Sequence, residues 1–260
     1  MLRSLWIAKT GMESQQTSID VISNNLANVS TTGFKKSRPV FEDLIYQTLR
    51  QSGSSASQTT SVPSGLQLGT GVRPVAAEHI FLQGNLSQTS NTLDVAIQGN
   101  GFFKVLQSDG SAAYTRDGSF QLNASGIVVD ANGNPLDPAI NIPQIATNVS
   151  IAKDGTVSYL DTANATQTAG VIQLSSFVNP AGLQSIGNNL FVEVTAASGT
   201  ATSGTAGANG LGTLQQGFVE ASNVNVVEEM VNMIQAQRAY ELNSKAVQAS
   251  NEMLQRLVQL

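Results

Sequence analysis

Residues 225–258 read NVVEEMVNMIQAQRAYELNSKAVQASNEMLQRLV, and from Phe218 onward the chain contains neither glycine nor proline. Val226, Met233, Tyr240, Val247 and Leu254 recur every seven residues. Ala236 and Leu257 reinforce that face, whereas Asn243 and Ser250 interrupt it. A seven-residue apolar repeat keeps one face of an α-helix turned towards a partner. Asn225 followed by Glu228 has the spacing of an N-cap with its reciprocal partner, and Glu228–Glu229 suit the positive start of a helix. A helix of ~35 residues would reach about 52 Å.

The other end of the chain mirrors this one. Residues 1–32 hold no proline and one glycine, Gly11. Leu5, Met12, Ile19 and Leu26 repeat at seven, and Ala8, Gln15, Ile22 and Val29 follow each by three. The pattern predicts a second helix whose Leu5, Met12, Ile19, Ile22 and Leu26 meet Met230, Met233, Tyr240, Val247 and Leu254. Stripes at helical spacing ordinarily mean burial, so the two ends are expected to pack together first of all. A two-helix pair is nonetheless too thin to be stable alone. Trp6, Ile7, Val231, Ile234 and Leu242 lie off the stripes and call for neighbours.

Between the helices the texture changes. Asp109–Gly110, Asp117–Gly118, Asn132–Gly133 and Asp154–Gly155 are turn dipeptides whose residues tolerate positive φ. Asp94–Gln98, Gly101–Leu106, Ile127–Val129, Val171–Leu174 and Leu190–Val194 read as strands. Gln51–Ser61 and Thr195–Gly210 are low in complexity and read as loops or mobile insertions. The expected fold class is α+β: a discontinuous, coiled-coil-like domain of the terminal helices (1–33 and 220–260), an extended linker with a Ser/Gln-rich insertion (34–70), and an inserted all-β domain (71–219).

Composition narrows the function. Charged residues make up 12% of the chain, about half the usual share, while Ser, Thr, Asn and Gln total 92 of 260. Such a surface opposes dense packing of like copies only weakly. No basic cluster exceeds Lys35–Lys36 with Arg38, and no aromatics interleave it, so nucleic acid is not an expected partner. The absence of cysteine removes disulfide and thiolate chemistry. Residues 1–30 lack the uninterrupted apolar stretch of a cleaved secretory signal, which predicts either a cytosolic chain or export by a route that retains the N-terminus.

Catalytic chemistry finds little to build on. His79 is the only histidine, and it reads as a solvated strand or loop residue. Asp130, Asn132 and Asn134 imitate the start of a calcium loop, but Pro135 stands where glycine is required and Asn141 where glutamate is. Gly69–Thr70–Gly71 and Gly99–Asn100–Gly101 lack the third glycine of a phosphate cradle. No catalytic residue, metal site, cofactor or small-molecule substrate is expected, and the chain reads as a non-enzyme.

Several stretches together resemble one family. NNLANVSTTGFKK (24–36), LDVAIQGNGFFKV (93–105), YTRDGSFQLNASG (114–126) and SNVNVVEEMVNMIQAQRAYELNSKA (222–246) are similar, in order, to the signatures of the bacterial flagellar rod and hook proteins. Length and the stretch PSGLQLGTGV (63–72) favour the distal-rod branch over proximal-rod and hook-type axial subunits. A monomeric adhesin and a cell-wall-active enzyme are the remaining alternatives.

The resemblance implies a structural subunit that polymerises helically with itself into a rigid, hollow driveshaft between motor and hook. Implied partners are proximal rod proteins, the hook protein, the P- and L-ring proteins and the flagellar type III export apparatus. The implied location is the basal body, from periplasm to outer membrane, with no cleaved signal peptide. Asn24, Asn25, Asn28, Thr32, Gly33 and Phe34 match the family's N-terminal motif, and their expected work is to end the first helix and set its exit, with Gly33 taking positive φ. Arg238 and Glu241 are expected polar contacts between subunits.

Overall fold

A computed structural model of the chain describes residues 2–52, 63–162 and 165–258. Helices stand at both ends of the sequence and the middle is mostly β. The chain divides into two compact units, one of residues 1–27, 37–78 and 225–260, the other of residues 28–36 and 79–224.

The first unit contains α1 (Leu2–Ala27), α2 (Val226–Val258) and a two-tier hairpin. The side-chain oxygen of Asn225 accepts from the Val227 amide at 3.1 Å, capping α2 at its predicted start. In the hairpin, β1 (Ser37–Asp43) pairs with β4 (Val72–His79), and β2 (Gln47–Arg50) pairs with β3 (Leu66–Leu68). The region expected as an extended linker over 34–70 therefore supplies three of the four strands of a paired ribbon. It shows no apolar alternation because both its faces are largely exposed, with Ile45, Tyr46, Leu49 and Leu66 each at least half exposed. Gly71 brings the ribbon onto α1: a Cβ there would fall 2.2 Å from Thr10 Oγ1. Residues 53–62, most of the Ser/Gln-rich insertion, lie outside the described residues.

The second unit is built on a six-stranded sheet that includes Phe102–Leu106, Ala112–Thr115, Gln173–Ser176, Leu190–Val192 and Thr202–Thr205. Successive side chains on a strand point to opposite faces, and here both faces are covered. Phe103 and Val105 join Val95, Ile97, Phe120 and Leu174 in the main core, while Phe102 packs with Tyr114, Phe177, Leu183 and Phe191 on the other side. Rings in that second cluster meet edge to face, as Tyr114 and Phe177 do at 4.8 Å.

Of the four predicted turn glycines, Gly110, Gly133 and Gly155 take positive φ. Gly118 serves differently, since a Cβ there would lie 1.7 Å from the Val95 carbonyl oxygen.

The first helix, expected at ~28 residues, runs for 26, Leu2–Ala27, and ends where the Thr31 amide and hydroxyl turn back onto the Asn28 carbonyl and side chain. Two other stretches differ from expectation. Glu220 is not the start of the helical segment but the end of a strand, Phe218–Glu220. The stretch Thr195–Gly210 is no mobile loop. Thr202–Thr205 pairs along Gln173–Ser176, Ser198 is fully buried against Val194, and Ala206 sits in the core. Its small residues reflect close packing: a Cβ on Gly204 would meet Leu211 at 2.9 Å.

Candidate assembly surface

The residues first weighed for chemistry turn out to be structural. His79, expected in solvent, is half-buried, with its ring edge-on to Phe191 at 5.7 Å and Nδ1 3.3 Å from the Lys35 carbonyl. Asp130 accepts from the amides of Asn132 and Asn134, each at 2.8 Å, so its carboxylate closes a turn. Gly99 and Gly101 direct their carbonyls at Arg116 Nη1, at 2.9 and 2.6 Å. That arrangement receives a cation, the reverse of an anion cradle. Among the described residues no group of three or more acidic or histidine side chains could hold a metal.

The basic spot at 35–38 also dissolves. Lys35 is fully buried with Nζ 2.6 Å from Glu220 Oε1 and 2.8 Å from the Leu82 carbonyl, while Arg38 reaches Glu78 at 3.1 Å. Burial pulls the Lys35 amine below its usual range, partly offset by Glu220. Arg116 Nε holds the other carboxylate oxygen of Glu220 at 2.8 Å, and the Gly33 amide donates to the Glu220 carbonyl at 2.7 Å. Nothing in the spacing of residues 35, 116 and 220 announces this trio.

The N-terminal motif gathers around the exit of α1. Asn25 is buried and exchanges two hydrogen bonds with the backbone of Ser37, at 2.8 and 2.9 Å, and donates to Glu229 at 3.3 Å. Asn28 supports the turn to Thr31, the Thr32 carbonyl accepts from Asn189 at 2.9 Å, and the Phe34 amide reaches Thr31. Gly33 has φ of 68°, and a Cβ on it would approach the Asp117 amide to 2.6 Å. Asn24 is exposed.

The seam between α1 and α2 is antiparallel and unlike the predicted one. Ser4 meets Ser250 hydroxyl to hydroxyl at 3.3 Å, Gly11 faces the Asn243 amide, and Asn25 reaches Glu229. The contacts fall seven and then fourteen residues apart, and the same register sets Ser18 opposite Ala236 between them. The pair thus meets along small and polar residues, including Asn243 and Ser250, which hydropathy reads as interruptions. Leu5, Met12, Ile19, Leu26, Met233, Val247 and Leu254 flank this line half-buried, and Ile22 is buried on it. Tyr240 is 39% exposed and Met230 50% exposed, so the pair itself leaves both largely uncovered.

Away from the seam, Val227, Met230, Val231 and Ile234 recur at steps of three and four and form an exposed apolar stripe on α2. Arg238, Glu241, Leu242 and Lys245 continue the same outer face, all exposed. On α1 the outer face carries Trp6 with Lys9 over its ring at 5.2 Å, then Glu13, Gln16 and Asp20.

Helices that meet largely through hydroxyls and amides while Val227, Met230, Val231 and Ile234 face outward have not finished burying their surface. A chain so arranged belongs among structural proteins that complete themselves by association. Comparison with known proteins specifies the class. Residues 5–35 match the family described as flagella basal body rod protein, residues 96–159 the flagellar hook protein FlgE/F/G D1 domain, and residues 215–260 the flagellar basal body rod FlgEFG protein C-terminal region.

Flagellar basal-body rod protein FlgG of Buchnera aphidicola from Acyrthosiphon pisum is 57% identical over the whole of both chains. That of Borreliella burgdorferi is 49% identical over 98% of this chain and 97% of its own, and that of Bacillus subtilis 42% over 100% and 99%. The chain belongs to the FlgG family of flagellar basal-body rod proteins, structural subunits of the distal rod and not enzymes. A solved Helicobacter pylori hook protein, FlgE2, aligns with 72% of this chain and 43% of its own at 14% identity and a TM-score of 0.26, too loose a likeness to carry an argument.

Proposed function

We propose that this chain polymerises helically with copies of itself into the distal rod, a rigid hollow shaft that transmits torque from motor to hook. The supporting observation is the exposed Val227–Ile234 stripe on α2, beside a helix seam with little apolar content of its own. Apolar surface of this kind is stabilised by burial against a partner, at roughly 25 cal/mol for each Å² removed from water. In this reading the terminal helices form one discontinuous packing domain, with an all-β domain inserted between them in the sequence. Leu5, Met12, Ile19, Ile22, Leu26, Met230, Met233, Tyr240, Val247 and Leu254 then become subunit-packing residues. Arg238 and Glu241 become polar contacts between subunits.

The family points to assembly with proximal rod proteins, hook protein and the P- and L-ring proteins, from periplasm to outer membrane. Delivery would be by the flagellar export apparatus without a cleaved signal. Electron microscopy of the concentrated protein tests the reading. Straight tubes of uniform width are expected, and particles that stay monomeric at every concentration would sink it.

A further inference from the structure

The outer faces of the two helices carry opposite charges at matched spacing. On α1, Glu13 and Asp20 are exposed and seven residues apart. Glu13 shares an exposed contact with Lys9 at 3.4 Å, and Asp20 accepts from Gln16 at 3.0 Å. On α2, Arg238 and Lys245 are exposed, also seven apart, and neither has an ion-pair partner among the described residues. Both pairs lie opposite the α1–α2 seam on their own helix.

Two antiparallel helices with equal charge spacing satisfy both pairs in one register only. In the register of the intrachain seam, Lys245 would oppose Lys9 and Glu241 would oppose Glu13, both repulsive. A slide of about one turn instead sets Lys245 against Glu13 and Arg238 against Asp20. It also lays Val231 over Ala27 and moves Glu241 opposite Thr17, to one side of the charged line.

We infer that α2 of one copy docks antiparallel on α1 of a second copy in this slid register, with Arg238 on Asp20 and Lys245 on Glu13. The inference rests on the assembly reading above and adds its register. Because each docking face lies opposite the seam, the contact is face to back. Such a heterologous contact does not close on itself as a two-fold dimer does, so it repeats from copy to copy. The charges choose the register, since exposed pairs add little affinity but like charges set opposite each other exclude wrong alignments.

Charge exchange between full-length chains tests it, read as the concentration at which polymer first sediments. D20R alone and R238D alone should each raise that concentration about tenfold, because each sets like charges together. A one-to-one mixture of the two variants should return close to the wild-type value, since each chain then offers the face the other needs. E13K and K245E should behave the same way one pair along. Single variants that assemble like wild type would overturn the docking, as would a mixture no better than its components. In either case polymerisation of the wild type would leave the assembly reading standing. A wild type that forms no polymer removes both.

Discussion

Glu220 holds two buried cations at once, Lys35 through Oε1 and Arg116 through Oε2, and also accepts from the Gly84 amide at 2.8 Å. Removing one partner of a buried ion pair leaves uncompensated charge, which costs about 3–5 kcal/mol. Glu220→Ala is expected to lose that much in a urea titration of the full chain, whereas Lys35→Met, which leaves Arg116 paired, should lose far less. Tyr114 offers a pH probe. Burial, with Glu193 close to its hydroxyl, pushes its phenol up to about 12 from 10. A raised acid contributes stability that is complete below its unfolded value and lost as pH climbs through the folded one. The alkaline decline between pH 10 and about 12 should therefore be shallower in Tyr114→Phe, by ~1–3 kcal/mol at the top of the range. Denaturation at a series of alkaline pH values measures it.

At the scale of elements, the seam depends on small residues. A Cβ on Gly11 would lie 2.9 Å from the Asn243 amide nitrogen, the far end of a side chain that can turn aside. Gly11→Ala gains about 1 kcal/mol of helix propensity against that contact and should stay close to wild type. Gly11→Leu overpacks the seam and should cost ~1–3 kcal/mol, seen as a lower melting point of helical ellipticity in concentrated protein. Both helices were legible from their heptads and from the Asn225 cap, and the turn dipeptides located the β unit. The phase of the seam was not legible, because Val226, Met233, Tyr240, Val247 and Leu254 outweigh Glu229, Ala236, Asn243 and Ser250 on any hydropathy count. The helices approach on the second set, where side chains are short. The ribbon of β1 to β4 escaped for a related reason: strands exposed on both faces carry no alternation to read.

For the molecule as a whole, the two units differ in what holds them. Val95, Ile97, Phe103, Val105 and Leu174 are fully buried in the β unit, while α1 and α2 share hydroxyls, amides and a glycine. Local opening follows apolar contact density, so dilute monomer should exchange its α1 and α2 amides quickly and those of Phe102–Leu106 slowly. Slow exchange throughout α1 in a dilute sample would contradict the dependence of the helices on neighbours. The same contrast explains what the candidate surface concealed. Lys35 and Glu220 are 185 residues apart and look like ordinary surface charges until the fold joins them.

The helix seam also imposes an order in time. Its hydrogen bonds join residues separated by 246 positions at one end and 204 at the other. No segment of the chain shorter than that can close them, and contacts so distant in sequence form late. While the chain emerges from one end, the first helix must therefore wait, unpaired, for nearly the whole of the sequence to follow it. The paired helices therefore cannot present their finished outer faces before the last residues of the chain are free.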